Sequence, residues 1–169
     1  MKHLAIAVLV GTLALSACSK NRFDNDYGAG AGANAGDIVP GSASDPRSPA
    51  YFNQTIGDRV LFLVDQSTLT PEGSEVLAKQ AAWLIENTSY TAVIEGHADE
   101  QGTREYNLAL GARRASAVQN YLIERGVAPN RLQTVSYGKE RPLEICSQEA
   151  CYAKNRRAVT VLAAGALSS

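Results

Sequence analysis

The 169-residue chain is short of several things: it has three cysteines, two histidines, one tryptophan and a formal charge of only −1. Each shortage excludes a class of function. No Cys-x-x-Cys pair exists, and His97 is the only histidine outside the first seventeen residues, so no zinc site is predicted. A balanced charge with no basic block argues against a nucleic-acid surface. No apolar run reaches the roughly 18–20 residues that a membrane-spanning helix needs. No activated nucleophile or positioned acid–base pair is visible, so no enzyme and no cofactor are predicted.

What is present begins with an export signal. Lys2 precedes an uncharged apolar stretch over residues 4–15, which ends at Leu15-Ser16-Ala17-Cys18. This ending resembles a bacterial lipobox. The resemblance implies cleavage before Cys18, a diacylglycerol on its sulfur and an acyl chain on the new amine. A plain secretory signal cut after Ala17 is the alternative. Several acyl chains on one residue give stable anchoring where a single chain is marginal. Ser19 follows the cysteine; an Asp there would imply retention in the inner membrane, so the outer membrane is expected, with the domain facing the periplasm. Cleavage removes Lys2 and no acid, which takes the charge from −1 to −2. With Cys18 carrying lipid, Cys146 and Cys151 remain in a compartment that permits disulfides. A bond between them is expected, two free thiols being the alternative.

Three regions follow: a signal over 1–17, a lipidated tether over 18–50, and a domain over 51–169. The tether contains an alternating Gly/Ala stretch over residues 28–36, then Pro40, Pro46 and Pro49. Such a segment cannot bury enough apolar area to offset its ordering entropy. As a flexible coil it spans roughly 30 Å root-mean-square, and about 105 Å when fully extended. In the domain, the apolar run 60–64 between Asp58 and Asp65 reads as a buried strand. Thr70-Pro71-Glu72 supplies an N-cap, a proline at the first helical position and an acid in the first turn. That helix buries Leu77, Ala81 and Leu84 and ends near Asn87. Residues 90–95 form a second strand. Thr103 caps a second helix with the core stripe Leu108, Gly111, Ala115, Val118 and Leu122. Gly126 ends it, with Pro129 beyond. Residues 132–137 and 157–163 complete the strands. The order βαβαβ…β predicts an α/β (α+β) domain with helices packed on a mixed sheet.

The most informative stretch is the corner between the second strand and the second helix. Asp99 sits in its loop, where ligand groups often lie in open α/β sheets. Arg114 lies about ten residues into the helix, about 15 Å along its axis, and its side chain leans back toward the helix start. One anion and one cation then flank the corner, an arrangement that suits a small zwitterion. The local alternatives are an aspartate bonding nearby amides and an arginine paired with a neighbouring acid. Arg113 is turned about 100° away from Arg114 and faces elsewhere. His97, beside two acids, orders the loop more readily than it would hold a metal.

The ordered series Gly96-His97-Ala98-Asp99-Glu100-x-Gly102-Thr103-x-Glu105-Tyr106-Asn107, Leu110-Gly111-x-Arg113-Arg114-Ala115, Val135-Ser136-Tyr137-Gly138-Lys139-Glu140-x-Pro142 and Asn155-Arg156-Arg157-Ala158-Val159 resembles the OmpA-like peptidoglycan-binding domain, in the version carried by peptidoglycan-associated lipoproteins. The likeness covers about residues 54–164. It implies that Asp99 pairs with the ammonium, and Arg114 with the carboxylate, of diaminopimelate in the peptidoglycan stem peptide. Asp65, Val64 and Leu110 are then placed along the groove. Val64 stands where such sequences often have Phe, so aromatic packing at that wall is not expected. Asn155, Arg156 and Arg157 are read as fixing entry to the last strand, outside the primary site. The family also implies TolB as a partner and a place in the Tol system. An enzyme acting on peptidoglycan, or a lipoprotein serving another envelope machine, are the competing readings.

Overall fold

The computed structural model describes residues 38–145 and 147–164. The signal, Cys18 and most of the tether lie outside the described residues, as does Cys146.

A four-stranded sheet carries the domain in the order β1-β4-β2-β3. β1 is Arg59–Leu61, β2 Tyr90–His97, β3 Leu132–Gly138 and β4 Arg157–Ala164. β2 runs parallel to β3 and antiparallel to β4, and β1 closes the other edge antiparallel to β4. The sheet is mixed, as the element order predicts. A short turn, α1 (Pro49–Tyr51), capped by Ser48, runs on into a π-helical stretch over Phe52–Gly57. The main helices are α2 (Pro71–Glu86) and α3 (Arg104–Glu124). Their caps are the expected ones: Gly73 N–H donates to Thr70 Oγ1 at 3.0 Å and Tyr106 N–H to Thr103 Oγ1 at 3.2 Å. Gly126, at φ +102°, ends α3 in the left-handed region that glycine reaches without a Cβ penalty.

Leu77, Ala81 and Leu84 of α2 and Ala115, Val118 and Leu122 of α3 bury against Ala92, Ile94, Leu132 and Ala158 of the sheet. Fully burying each leucine or isoleucine contributes about 1.5–3 kcal/mol. Two glycines set the seating of α3. A Cβ on Gly96 would lie 1.8 Å from the Gly111 carbonyl oxygen, and one on Gly111 would lie 2.4 Å from Ser136 Oγ. Helix and strand backbones therefore touch here, and Arg114, one turn further along α3, is carried down onto the end of β2.

The structure corrects several expectations. Leu108 is half exposed at 50%; Leu110, at 4%, takes the buried position instead. Gly111, Ala115, Val118 and Leu122 are buried as expected, and Asn107, Leu110 and Arg114 widen the buried face on one flank. The first strand stops at Leu61. Phe62 stays buried, but Leu63 and Val64 are exposed as the chain leaves the sheet toward Asp65, a non-glycine residue at φ +58°. Packing against the domain starts before residue 51: Trp83 Nε1 donates to Pro46 O at 2.6 Å and Ser48 is buried. A further helix, α4 (Glu149–Asn155), precedes β4.

Candidate functional site

β2 ends at His97, and the three segments that meet there are locked by a wholly buried arginine. Arg114 is 0% exposed. Its Nη1 donates to His97 O at 2.8 Å, Nε to Gln66 O at 2.8 Å and Nη2 to Leu63 O at 3.2 Å. The guanidinium also lies 5.2 Å from the Phe62 ring centroid. Burial draws its pKa down to about 10, against the pull of Asp99 and with a further push from Arg156. The group stays cationic at neutral pH. Among the described residues, carbonyls take three of its five N–H groups. The side chain is fully enclosed, so it acts on the groove through its charge.

Asp99 is 8% exposed. Its Oδ1 accepts the Gln101 N–H at 3.2 Å and its Oδ2 accepts from Arg156 Nη1 at 3.1 Å. Asp65 accepts a hydrogen bond from the Tyr106 hydroxyl. Asp65, Asp99 and Leu110 line one groove of about 300 Å³, with Val64, Tyr106 and Asn107 among its other walls. Three of the four predicted ligand residues therefore share one hollow. The fourth, Arg114, lies one helical turn beyond Leu110 and is close enough to feel the charge of both Asp99 and Asp65. A larger hollow of about 370 Å³ lies on the other flank of α3, between Leu108 and Tyr137. Of its three charged residues, Arg104 and Glu140 pair with each other at 3.1 Å, and these and Glu105 are exposed or largely so. It offers no buried ion, so the smaller groove is the stronger site.

His97 is 1% exposed, and among the described residues neither ring nitrogen has a hydrogen-bond partner. Glu95 Oε2 comes no closer than 3.7 Å to Nε2. Burial, with Arg157 and Arg141 adding to it, lowers its pKa to about 4. The ring is therefore neutral at physiological pH and packs against Tyr137, centroid to centroid 5.6 Å. Arg113 is exposed, 5.9 Å from the Tyr106 ring centroid, and faces away from Arg114 as the helical geometry requires. Among the described residues no group of three or more His, Cys, Asp or Glu is placed to hold a metal. Cys151 is disulfide-bonded; Cys146, its expected partner, lies outside the described residues.

Asn155, Arg156 and Arg157 were expected to fix entry to the last strand, outside the primary site; the structure pairs Arg156 with Asp99. Asn155 is a loop organiser: its Oδ1 accepts from Leu143 N–H at 2.7 Å and Glu144 N–H at 3.1 Å, and its Nδ2 donates to Glu144 O at 2.8 Å. Arg157 Nη2 donates to Arg141 O at 3.2 Å. No local signal in the sequence could have joined Arg156 to Asp99, because the pair spans 57 positions.

Residues 61–156 match the model of the OmpA family. The chain is 50% identical over 162 residues to the peptidoglycan-associated lipoprotein of Rhizobium meliloti, covering 95% of this chain and 88% of that protein. The chain belongs to the peptidoglycan-associated lipoproteins of the OmpA family. The Pseudomonas aeruginosa peptidoglycan-associated lipoprotein is 43% identical over 157 residues, covering 91% of this chain and 89% of that one. Among solved structures, that of the peptidoglycan-associated lipoprotein from Burkholderia pseudomallei superposes with a TM-score of 0.63 at 37% identity, over 70% of this chain and 97% of that one. The C-terminal domain of Helicobacter pylori MotB shares the fold, with a TM-score of 0.59 at 22% identity, over 63% of this chain and 84% of that one. All the family-matched residues lie in the domain that holds the groove.

Proposed function

We propose that this protein is a non-catalytic lipoprotein of the outer membrane that tethers it to the cell wall. Cys18 carries the lipid, and the domain holds peptidoglycan noncovalently through diaminopimelate. The observation that carries this reading is the pair of opposite charges fixed around one groove by buried hydrogen bonds: Asp99, with Asp65 beside it, and Arg114. The distal end of diaminopimelate in a stem peptide carries an ammonium and a carboxylate on one carbon. Asp99 meets the ammonium, and the carboxylate lies toward the charge of the buried Arg114. Leu110 and Val64 lie against the methylenes. Relatives named peptidoglycan-associated lipoproteins support the wall as the target. Through the family, the reading extends to TolB and to a role in envelope integrity and cell division.

Two experiments bear on it. Calorimetric titration with a stem tripeptide ending in meso-diaminopimelate should show saturable binding, and incubation of the protein with muropeptides should yield no product. Turnover would instead favour an enzyme acting on peptidoglycan. Pull-down from envelope extract should recover TolB; recovery of a different apparatus alone would assign the lipoprotein to that machine.

A further inference from the structure

Arg156 has no place in a two-charge clamp, yet it is 4% exposed and touches the groove's own carboxylate. Its guanidinium joins three separate stretches of chain. Nε donates to Phe62 O at 3.2 Å, at the head of the segment that carries Val64 and Asp65. Nη1 donates to Asp99 Oδ2 at 3.1 Å. Nη2 donates to Glu149 on α4, whose second oxygen lies 3.5 Å from Nη1. The other Asp99 oxygen is fixed by the Gln101 N–H at 3.2 Å. A carboxylate has about four lone-pair sites. Two are filled by these fixed donors, so the remaining two face a set direction.

We propose that Arg156 is a positioning residue for ligand recognition: it orients the Asp99 carboxylate that meets the ligand's ammonium and, through Glu149, makes α4 a support of the groove. This inference rests on the peptidoglycan reading above and adds to it a residue and a helix.

Two effects of Arg156 on an ammonium oppose each other. As a cation it repels the ligand's positive end. As a donor it holds the acceptor in place. Two carboxylates, Asp99 and Glu149, face the guanidinium and cancel most of the repulsion. Without Arg156, Asp99 would be a nearly buried carboxylate with no direct cationic partner, and such a charge leaves its position or draws in water. Orientation therefore wins. A lysine would keep the charge but lose the planar fork that reaches Phe62, Asp99 and Glu149 together. Glu149 itself is well exposed, at 65% of its side chain, so its share is the smaller one.

The test uses the full chain in detergent, with circular dichroism to check folding, and two tripeptides. One ends in meso-diaminopimelate. The other ends in 2-aminopimelate, which keeps the distal carboxylate and lacks the distal ammonium. Arg156→Met should weaken the diaminopimelate peptide by about tenfold or more, the size expected when a hydrogen-bonded charge loses its partner, and leave the 2-aminopimelate peptide within about twofold. Arg156→Lys should lose about threefold or more for the first peptide only. A general loss of structure would weaken both peptides alike, which would overturn the inference. Wild-type affinity in Arg156→Met would overturn it too. If Arg156→Met does not fold, Arg156→Lys decides by the same criterion. Absence of any wild-type binding to the diaminopimelate peptide would instead overturn the peptidoglycan reading itself.

Discussion

Two arginines grip backbone carbonyls at opposite ends of β2, and only one has acids and a groove beside it. At the strand's start, Arg131 donates to Leu84 O at 2.8 Å, Asn87 O at 3.0 Å and, through Nε, Tyr90 O at 2.9 Å. It closes the C-terminal carbonyls of α2 onto the sheet, which are the helix's unsatisfied acceptors. At the strand's end, Arg114 makes the same three-carbonyl grip on Leu63, Gln66 and His97. The bonding is alike and the surroundings are not. The described residues place no carboxylate in an ion pair with Arg131, whereas Asp99 and Asp65 both act on Arg114. A carbonyl grip is thus a structural device in itself. On the proposed reading it serves recognition where acids and an open groove share the corner.

The sharpest way to break this comparison is at Asp99. Asp99→Asn should lose about a hundredfold in affinity for the diaminopimelate peptide, the equivalent of about 2.7 kcal/mol. Calorimetric titration of the folded variant measures it, and near-wild-type affinity would remove the acid half of the distinction. Arg114→Ala is a poorer probe than the sequence suggests, because it would orphan three carbonyls in a buried site and lower stability together with binding.

His97, whose carbonyl Arg114 holds, links this end of the strand to pH. Its pKa is about 4 folded and 6.5 unfolded. Between those values the unfolded chain binds the extra proton. The contribution is complete above about pH 6.5 and lost as pH falls toward 4, a loss on the order of 2–3 kcal/mol by pH 4.5. Urea unfolding at pH 7.5 and 4.5 should show His97→Phe losing less stability over that interval than wild type. Equal losses would show that the imidazole does not titrate as its burial requires.

Arg131→Met sharpens the contrast from the other end. It should cost about 2 kcal/mol of stability, since hydrogen bonds from a charged donor are lost and carbonyls are left bare. Affinity of the folded protein for the peptide should stay within about twofold, well under the 1.4 kcal/mol of a tenfold change. Chemical denaturation and titration on the same sample separate the two. The smallest effect belongs to Arg113→Ala. Its exposed guanidinium faces Tyr106 rather than the carbonyl cage, so binding should weaken by less than about threefold; a loss equal to that of Asp99→Asn would place the clamp on the wrong arginine.

Local chemistry was legible in the sequence. Thr70 and Thr103 announced their helices because a cap is satisfied within three residues. Gly126 announced an end, and the alternation of strands and helices announced a mixed sheet. Asp65, Asp99 and Leu110 could be placed in one groove by family likeness, and they share one. What stayed hidden depends on long-range contact. Leu108 looked like core because its spacing fits a helical stripe, but the buried face extends to Asn107, Leu110 and Arg114 on the other flank and leaves Leu108 half exposed. The docking of Pro46 on Trp83 spans 37 positions. Arg156 was hidden for the same reason: its partner Asp99 lies 57 positions away.

On the proposed reading, this groove recognises a zwitterion by two fixed charges. Titration of the full chain in detergent with two stem tripeptides, one ending in meso-diaminopimelate and the other in lysine, tests it most directly. The two differ only in the distal carboxylate that Arg114 would hold. The diaminopimelate peptide should bind about a hundredfold more tightly. Equal affinity for both peptides would contradict the claim, because Arg114 would then be no more than a second Arg131.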